Sequence, residues 1–139
     1  MNEIHINTDG GARGNPGPAA LGVYIADNSG KKLAGIGKRI GNTTNNVAEY
    51  LAVIEALNWV IANKQGLKIS KIIFNLDSQL VYSQIIGVYK VKTEHIRELI
   101  YTVKEKISKV EVPIEWHHVP RESNKKADEL VNLALDNLI

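Results

Sequence analysis

The spacing of apolar residues changes near Asn46, and this change constrains the fold more than any other sequence feature. Residues 3–9 alternate between apolar and polar side chains, and two further apolar runs follow at residues 21–26 and 32–40. A period of two with intervening turn residues is typical of strands, so these runs predict an antiparallel meander. From Asn46 onwards the apolar residues recur at helical spacing, and a pair of threonines just before it can cap a helix.

The remainder of the chain alternates strands with helices. Residues 71–77 contain a continuous apolar run, which suits a strand buried on both faces. Residues 78–86 and 94–107 fit two helices, residues 114–119 fit a further strand, and residues 127–138 fit a last amphipathic helix. The resulting order, β-β-β-α-β-α-α-β-α, predicts an α/β protein in which helices cover the faces of a mixed sheet.

Composition narrows the class of protein. With 139 residues and 44% hydrophobic content, we expect one domain spanning residues 1–139. No segment approaches the roughly 20 apolar residues of a membrane span, and the polar N-terminus lacks a signal-peptide pattern, so we expect a cytoplasmic protein without a membrane partner. No obligatory protein partner is implied, and we expect a monomer. A net charge of +2 is by itself weak evidence for nucleic-acid binding.

The absence of cysteine limits the chemistry of any metal site. Thiolate ligands, disulfides and cysteine nucleophiles are all excluded by a count of zero. A bound metal must therefore be held by oxygen or imidazole ligands, which favours hard cations such as Mg²⁺ or Mn²⁺.

Four carboxylates fall where a sheet-based enzyme would place its site. Asp9 ends the first predicted strand, Asp77 follows the buried strand, and Glu49 and Asp128 lie near the starts of two helices. Each acid alone also has an ordinary explanation, because helix N-termini and strand ends favour acidic residues. Asp77 is the hardest to explain in this way, since a charge directly after a hydrophobic strand is costly to desolvate unless a cation binds it. Such a set could hold two metal ions about 4 Å apart for phosphodiester hydrolysis.

Four segments resemble the successive motifs of type 1 ribonuclease H, in order and at appropriate spacing. They are TDGGARGNPGPAALGVYI (8–25), GNTTNNVAEYLAVIEAL (41–57), NLDSQLVYSQIIG (75–87) and VPRESNKKADELVNLA (119–134). The resemblance implies the ribonuclease H-like fold, a five-stranded mixed sheet of three antiparallel and then two parallel strands with helices on both faces. It also implies an endonuclease that hydrolyses the RNA strand of RNA/DNA hybrids with two Mg²⁺ ions, for which Mn²⁺ could substitute, leaving 5′-phosphate and 3′-hydroxyl ends.

The same resemblance assigns roles to individual residues. It makes Asp9, Glu49, Asp77 and Asp128 the catalytic metal ligands, with Asp9 bridging both ions. It places Gly10 and Gly11 against RNA 2′-hydroxyls, Asn15, Asn45 and Gln79 in the minor groove, and Thr44, Asn46 and, less certainly, Thr93 at a DNA phosphate. Turn and cap formation explains the asparagines and threonines equally well, and the two roles are compatible.

The resemblance leaves two candidates for a residue that assists catalysis. His118 and Arg121 each match a family residue that assists proton transfer or product release, and the sequence does not decide between them. A histidine packed beside Trp116 in a strand is the ordinary alternative for His118.

The connection between the two middle helices lacks the lysine-rich protrusion of some type 1 enzymes. We therefore expect Lys90 and Lys92 to be the cations nearest the DNA strand. Three competing interpretations remain: a strand transferase with the same fold, a hybrid-binding module without activity, and the nuclease domain of a longer polyprotein. The uninterrupted motifs and the complete set of acids favour the nuclease over the first two.

Overall fold

Five strands and four α-helices make up most of the residues that the structure describes. The computed structural model describes residues 2–87, 90, 91 and 93–139. The strands are β1 (Asn2–Ala12), β2 (Gly17–Asp27), β3 (Lys32–Thr43), β4 (Ile69–Leu76) and β5 (Ile114–His118), and the helices are α1 (Asn45–Asn63), α2 (Gln79–Ile85), α3 (Glu94–Val110) and α4 (Lys125–Leu135). A single 3₁₀ turn, Arg121–Ser123, precedes α4. The predicted order of elements is confirmed.

The strands form one mixed sheet in the order β3-β2-β1-β4-β5. β1 pairs antiparallel with β2 and parallel with β4; β2 pairs antiparallel with β3, and β4 pairs parallel with β5. The predicted α/β fold, with three antiparallel strands followed by two parallel ones, is therefore confirmed. β1 and β4 are neighbours in the interior of the sheet. Because they run parallel, their carboxyl ends meet at the same edge.

Helices cover both faces of the sheet. α1 packs on one face, α3 packs against α1, and α4 lies against β1, β2 and β3. The side chains of Ile6, Val23 and Phe74 are fully buried in the main core, which also contains the α1 residue Tyr50. On the α4 face, a Cβ at Gly22 would overlap the carbonyl group of Ala127, so glycine is required for the close contact between β2 and α4.

Several boundaries differ from the sequence expectation, among them the start of β2 at Gly17 and the end of β3 at Thr43. β1 continues three residues past Asp9, because its antiparallel ladder with β2 extends to the pair Ala12 and Ala19. α4 ends at Leu135, and Leu138 lies beyond it with 67% of its surface exposed, so its predicted place on the apolar face of the last helix is wrong. The left-handed conformation of Asn137, with φ of 58°, turns the chain away from the helical path. None of the described helices is long and apolar enough to cross a bilayer.

Candidate active site

Three of the four predicted acids converge at the edge of the sheet where β1 and β4 meet. Asp9 lies on β1, Asp77 directly follows β4, and Glu49 lies in the second turn of α1. One carboxylate oxygen from each residue lies within 4.8 Å of those of the other two. Parallel pairing of β1 with β4 brings the two aspartates together, since the ladder continues to the pair Thr8 and Leu76 just before them.

The close contact of α1 with β1 brings Glu49 to the two aspartates. Gly10 is buried, and a Cβ at this position would overlap the main chain of Ala48 and Glu49. The nearby main-chain amide of Gly10 lowers the pKa of the Glu49 carboxylate and so partly offsets the effect of burial. Packing against α1 is therefore sufficient to require glycine at position 10, and contact of this amide with a substrate stays a prediction. Gly11 is half-buried and lines the depression described below.

Burial and mutual repulsion disfavour the ionised forms of these acids when no metal is bound. Burial raises the pKa of Asp9 to about 7; a hydrogen bond with Glu49 opposes this rise, and the nearby charges of Asp77 and Asp128 reinforce it. Burial likewise raises the pKa of Glu49 well above its ordinary value, with further contributions from Asp9 and Asp77. The protein thus keeps a proton in this cluster under conditions in which exposed carboxylates are ionised.

The cluster fits a divalent cation. Glu49 Oε2 and Asp77 Oδ2 are buried and have no hydrogen-bond partner among the residues that the structure describes. Buried polar atoms are normally paired with a hydrogen-bonding partner or a cation. Two unpartnered carboxylate oxygens in one cluster therefore favour the binding of a cation there. An all-oxygen set suits Mg²⁺ or Mn²⁺ rather than a softer metal. Asp9, Glu49 and Asp77 would hold the first ion.

The raised pKa of Asp9 predicts how stability depends on pH without metal. Between pH about 4 and about 7 the folded state binds more protons than the unfolded state, so the free energy of unfolding falls as pH rises through this window. We expect Asp9→Asn to remove this pH-dependent loss of stability. At pH 8 in EDTA, the variant should be more stable than the wild type by about 2 kcal/mol, or about 5 °C in Tm. Thermal unfolding at pH 4.5 should show little difference. A difference independent of pH would contradict the assigned cause.

Asp128 and Arg121 lie with Asp9 and Glu49 around a depression of about 430 Å³. Asp128 is half-buried in the first turn of α4, and its carboxylate lies outside the tightest group of three although it raises the pKa of Asp9. Arg121 is exposed in the 3₁₀ turn and lines the same depression. His118, at the end of β5, is also exposed, and its Nε2 lies 3.3 Å from the main-chain oxygen of Asp77.

A second groove, of about 870 Å³, runs between the start of α1 and the start of α3. Its lining includes six of the predicted substrate contacts: Asn15, Thr44, Asn45, Asn46, Lys90 and Thr93. Asn45 lines the acidic depression as well, so the two cavities meet at this residue. Gln79, the first residue of α2, is exposed and lines neither cavity. Lys92 lies outside the described residues.

Several of these side chains also hold the local backbone. Thr44 Oγ1 accepts a hydrogen bond from the amide of Val47 and so caps α1. Asn15 Oδ1 accepts from the amide of Asn45, whose own Oδ1 accepts from the amide of Ala12. The predicted turn and cap contacts are thus present for Asn15, Thr44 and Asn45, whereas Thr93 stands at the N-cap of α3 without a side-chain capping hydrogen bond. The contacts with nucleic acid stay predictions.

Sequence reasoning missed Arg13, which also lines the acidic depression. Its guanidinium forms an ion pair with Asp136 at 2.6 Å, which ties the loop after β1 to the end of α4. The positive charge of Arg13, within the glycine-rich segment that follows Asp9, could have indicated that this residue lies near the acids. The partner acid lies 123 residues away in sequence, so the pairing itself had no local signature.

Comparison with known proteins identifies the family. A family profile described as "Reverse transcriptase-like" matches residues 7–134. Ribonuclease H from Ruthia magnifica is 31% identical over 147 aligned positions, which cover 99% of each chain. The chain belongs to the ribonuclease H family. Ribonuclease HI from Halobacterium salinarum is 38% identical over 136 positions, covering 96% of this chain and 65% of that protein.

Solved structures of the family show the same fold. LC11-RNase H1, isolated from compost by a metagenomic approach, superposes with a TM-score of 0.90 at 43% identity over 99% of both chains. The same protein has been crystallised in complex with an RNA/DNA hybrid, and that structure superposes with a TM-score of 0.88 over 97% of this chain and 98% of that one. This chain spans only 36% of the length of three mycobacterial relatives at 39% identity.

Proposed function

We propose that this chain is a type 1 ribonuclease H that hydrolyses the RNA strand of RNA/DNA hybrids. The observation that carries the proposal is the convergence of Asp9, Glu49 and Asp77 at one edge of the sheet, with two of their buried oxygens unpartnered. The RNA/DNA hybrid bound by LC11-RNase H1, at 43% identity, supports the same substrate class for this chain. We take residues 1–139 as one catalytic domain that acts as a monomer.

Four carboxylates of this chain would position the divalent ions and balance part of their charge. Asp9, Glu49 and Asp77 would hold one divalent ion, and Asp9 with Asp128 would hold a second. Bound ions of this kind supply an activated water and neutralise the negative charge on the leaving 3′ oxygen. Because water rather than the 2′-hydroxyl attacks the phosphate, the products carry 5′-phosphate and 3′-hydroxyl ends. Mg²⁺ is the expected cofactor, with Mn²⁺ as a substitute.

Arg121 is the stronger candidate for an assisting group, because it lines the depression that contains Asp9, Glu49 and Asp128. His118 instead contacts the main chain of Asp77. A group that aids proton transfer or product release contributes roughly 10²-fold, so we expect Arg121→Ala to lower kcat by about that factor and His118→Ala to lower it less. Steady-state rates at saturating Mg²⁺ test the order. If neither variant changes kcat beyond a fewfold, no side-chain assistant operates.

Lys90 is expected to face the DNA strand, because it lines the groove that also contains Thr44, Asn46 and Thr93. We expect Lys90→Ala combined with Lys92→Ala to raise KM and leave kcat unchanged, since the acids are untouched. Each lost phosphate contact should reduce the slope of log K against log salt by about 0.9, if B-DNA behaviour applies to the hybrid.

The matched control for this double variant removes two lysines of α3 that line neither cavity, Lys104 and Lys106. It should leave KM and the salt slope unchanged. Equal effects of the two double variants would mean that the connection between α2 and α3 does not contact the DNA strand.

The substrate class is tested with four nucleic acids of one sequence: RNA/DNA, DNA/DNA, RNA/RNA and single-stranded RNA. With Mg²⁺ or Mn²⁺ we expect cleavage of the RNA/DNA hybrid and no cleavage of DNA/DNA, and EDTA should abolish the activity. Binding of the hybrid without cleavage under every metal condition would identify a binding module instead.

A further inference from the structure

Two asparagines accompany the acids of the central strands. On β1, Asn7 precedes Asp9 by two residues, and near the end of β4, Asn75 precedes Asp77 by two. Alternate residues of a strand project from the same face, so each asparagine lies beside its acid on the α4 face of the sheet. Asn7 and Asn75 are also direct partners in the parallel ladder. Asn7 and Asn75 therefore form a pair of side-chain amides two residues before the pair of aspartates, Asp9 and Asp77.

A third asparagine extends this pair to the last helix. Asn75 Nδ2 donates to Asn7 Oδ1 at 3.3 Å, and Asn7 Nδ2 donates to Asn124 Oδ1 at 3.0 Å and to the main-chain oxygen of Ser123 at 3.4 Å. Asn124 Nδ2 then donates to the main-chain oxygen of Thr8 at 2.8 Å. We call these three asparagines the amide row. It joins β4, β1 and the N-terminus of α4 by side-chain hydrogen bonds.

Asn124 links the amide row to the fourth acid. Its side chain is 1% exposed and makes no capping hydrogen bond to its own helix, although it stands at the N-cap position of α4. Its main-chain oxygen accepts the amide of Asp128 at 3.1 Å, so that Asp128 follows one helical turn later. The amide row therefore ends on the helical turn that carries Asp128.

Asp128 needs such an anchor more than the other acids. Asp9, Glu49 and Asp77 are grouped by the contact of β1 with β4 and α1, whereas Asp128 lies outside that group on a helix of the opposite face. Asp128 lies close enough to Asp9 to raise the pKa of Asp9, and repulsion between two ionised carboxylates disfavours this approach when metal is absent. Neutral amides can donate and accept at once, so they can hold α4 against the sheet without adding charge beside the acids.

We propose that the amide row formed by Asn7, Asn75 and Asn124 positions Asp128 relative to Asp9 and thereby determines the affinity of the second metal ion. This inference rests on the proposed function, because it concerns the same metal ligands. The three asparagines are positioning residues that act through Asp128, since their side-chain amides bond to one another and to main-chain oxygens.

The test replaces Asn7 by leucine, which has a similar size but can neither donate nor accept. Calorimetric titration of the protein with Mn²⁺, without nucleic acid, should show the second ion binding about tenfold more weakly. The Mn²⁺ concentration for half-maximal cleavage should rise by a similar factor, while kcat at saturating Mn²⁺ stays within about twofold of the wild type.

A double-variant cycle separates positioning from a general loss of stability. In the Asp128→Asn background, Asn7→Leu should not weaken Mn²⁺ binding further, because the ligand on which it acts is gone. Asn63→Ala is the matched control: Asn63 Nδ2 donates to the main-chain oxygen of Trp59 on α1, outside the acidic depression. This variant should lower Tm without changing Mn²⁺ affinity.

Asn75→Leu provides a second, milder test if Asn7→Leu does not fold. Among the described residues, the Asn75 side chain bonds to Asn7 alone, so the link from Asn7 to Asn124 survives its removal. We expect a smaller weakening of Mn²⁺ binding in the same direction. Unchanged Mn²⁺ affinity in the folded variants, or equal weakening with and without Asp128, would overturn the proposal. Wild-type protein that binds Mn²⁺ but cuts no hybrid would instead contradict the proposed function.

Discussion

Asp77→Asn is expected to lower the rate of RNA cleavage by at least about 1,000-fold in Mg²⁺ while leaving the fold intact. The amide keeps the shape of the carboxylate but removes an anionic ligand, and a loss of several kcal/mol of transition-state stabilisation corresponds to this factor. The folded state should be unaffected, because Asp77 Oδ2 has no hydrogen-bond partner to lose among the described residues. Single-turnover cleavage of a labelled hybrid measures the effect, and circular dichroism monitors the fold.

Glu55→Gln is the matched control for Asp77→Asn. It removes one carboxylate charge from α1, where Glu55 forms an ion pair with Lys38 at 2.8 Å outside the depression. We expect cleavage within about twofold of the wild type, because such partly exposed pairs contribute little to stability. Near-normal turnover of Asp77→Asn in Mg²⁺ would show that the cluster is not the catalytic centre.

Gly10→Ala is expected to give the largest loss of stability of any single methyl addition near the site. A Cβ there would overlap the main chain of Ala48 and Glu49, and a helix backbone cannot move aside as a flexible side chain can. We expect the free energy of unfolding to fall by about 3 kcal/mol or more, at the upper end for overpacked cores. Urea denaturation measures it. Mn²⁺ binding should weaken as well, because moving α1 away also moves Glu49.

Gly66→Ala is the control for this substitution. Gly66 lies in the turn after α1, its φ is not in the left-handed region, and the nearest atom to an added Cβ would be the main-chain oxygen of Asn63 at 3.9 Å. Alanine at such a position changes stability by about 1 kcal/mol or less, and can increase it. If Gly10→Ala were as stable as Gly66→Ala, the contact between β1 and α1 would be looser than described.

The order of elements could be predicted from the sequence because each element carries its own period. Residues 3–9 alternate and the helix from Asn46 repeats at helical spacing, so both signals are local. The acids were predictable for another reason. Asp9 and Asp77 lie at the ends of the apolar patterns that predicted their strands, and Glu49 and Asp128 lie within family motifs. Burial of Asp9 and Glu49 and the grouping of three acids follow from the sheet order, which periodicity alone does not determine.

The contacts that the sequence did not reveal are those between distant segments. Asn7 bonds to a residue 117 positions away and Arg13 to one 123 positions away, and neither partner has a composition that marks it. Gly10 was interpreted through the substrate, whereas its tightest neighbours are in α1. Leu138 fitted the helical period, but the left-handed Asn137 ends that path. These outcomes depend on tertiary packing rather than on local propensity.

The most direct test of the account is the chemistry of the products from a hybrid whose RNA and DNA strands carry different labels. With Mg²⁺, we expect that only the RNA strand is cut and that every new end is a 5′-phosphate or a 3′-hydroxyl. EDTA should prevent cleavage, and Asp77→Asn should show none above background. Products ending in 2′,3′-cyclic phosphate, or cleavage that persists in EDTA, would contradict hydrolysis by a metal centre built from Asp9, Glu49, Asp77 and Asp128.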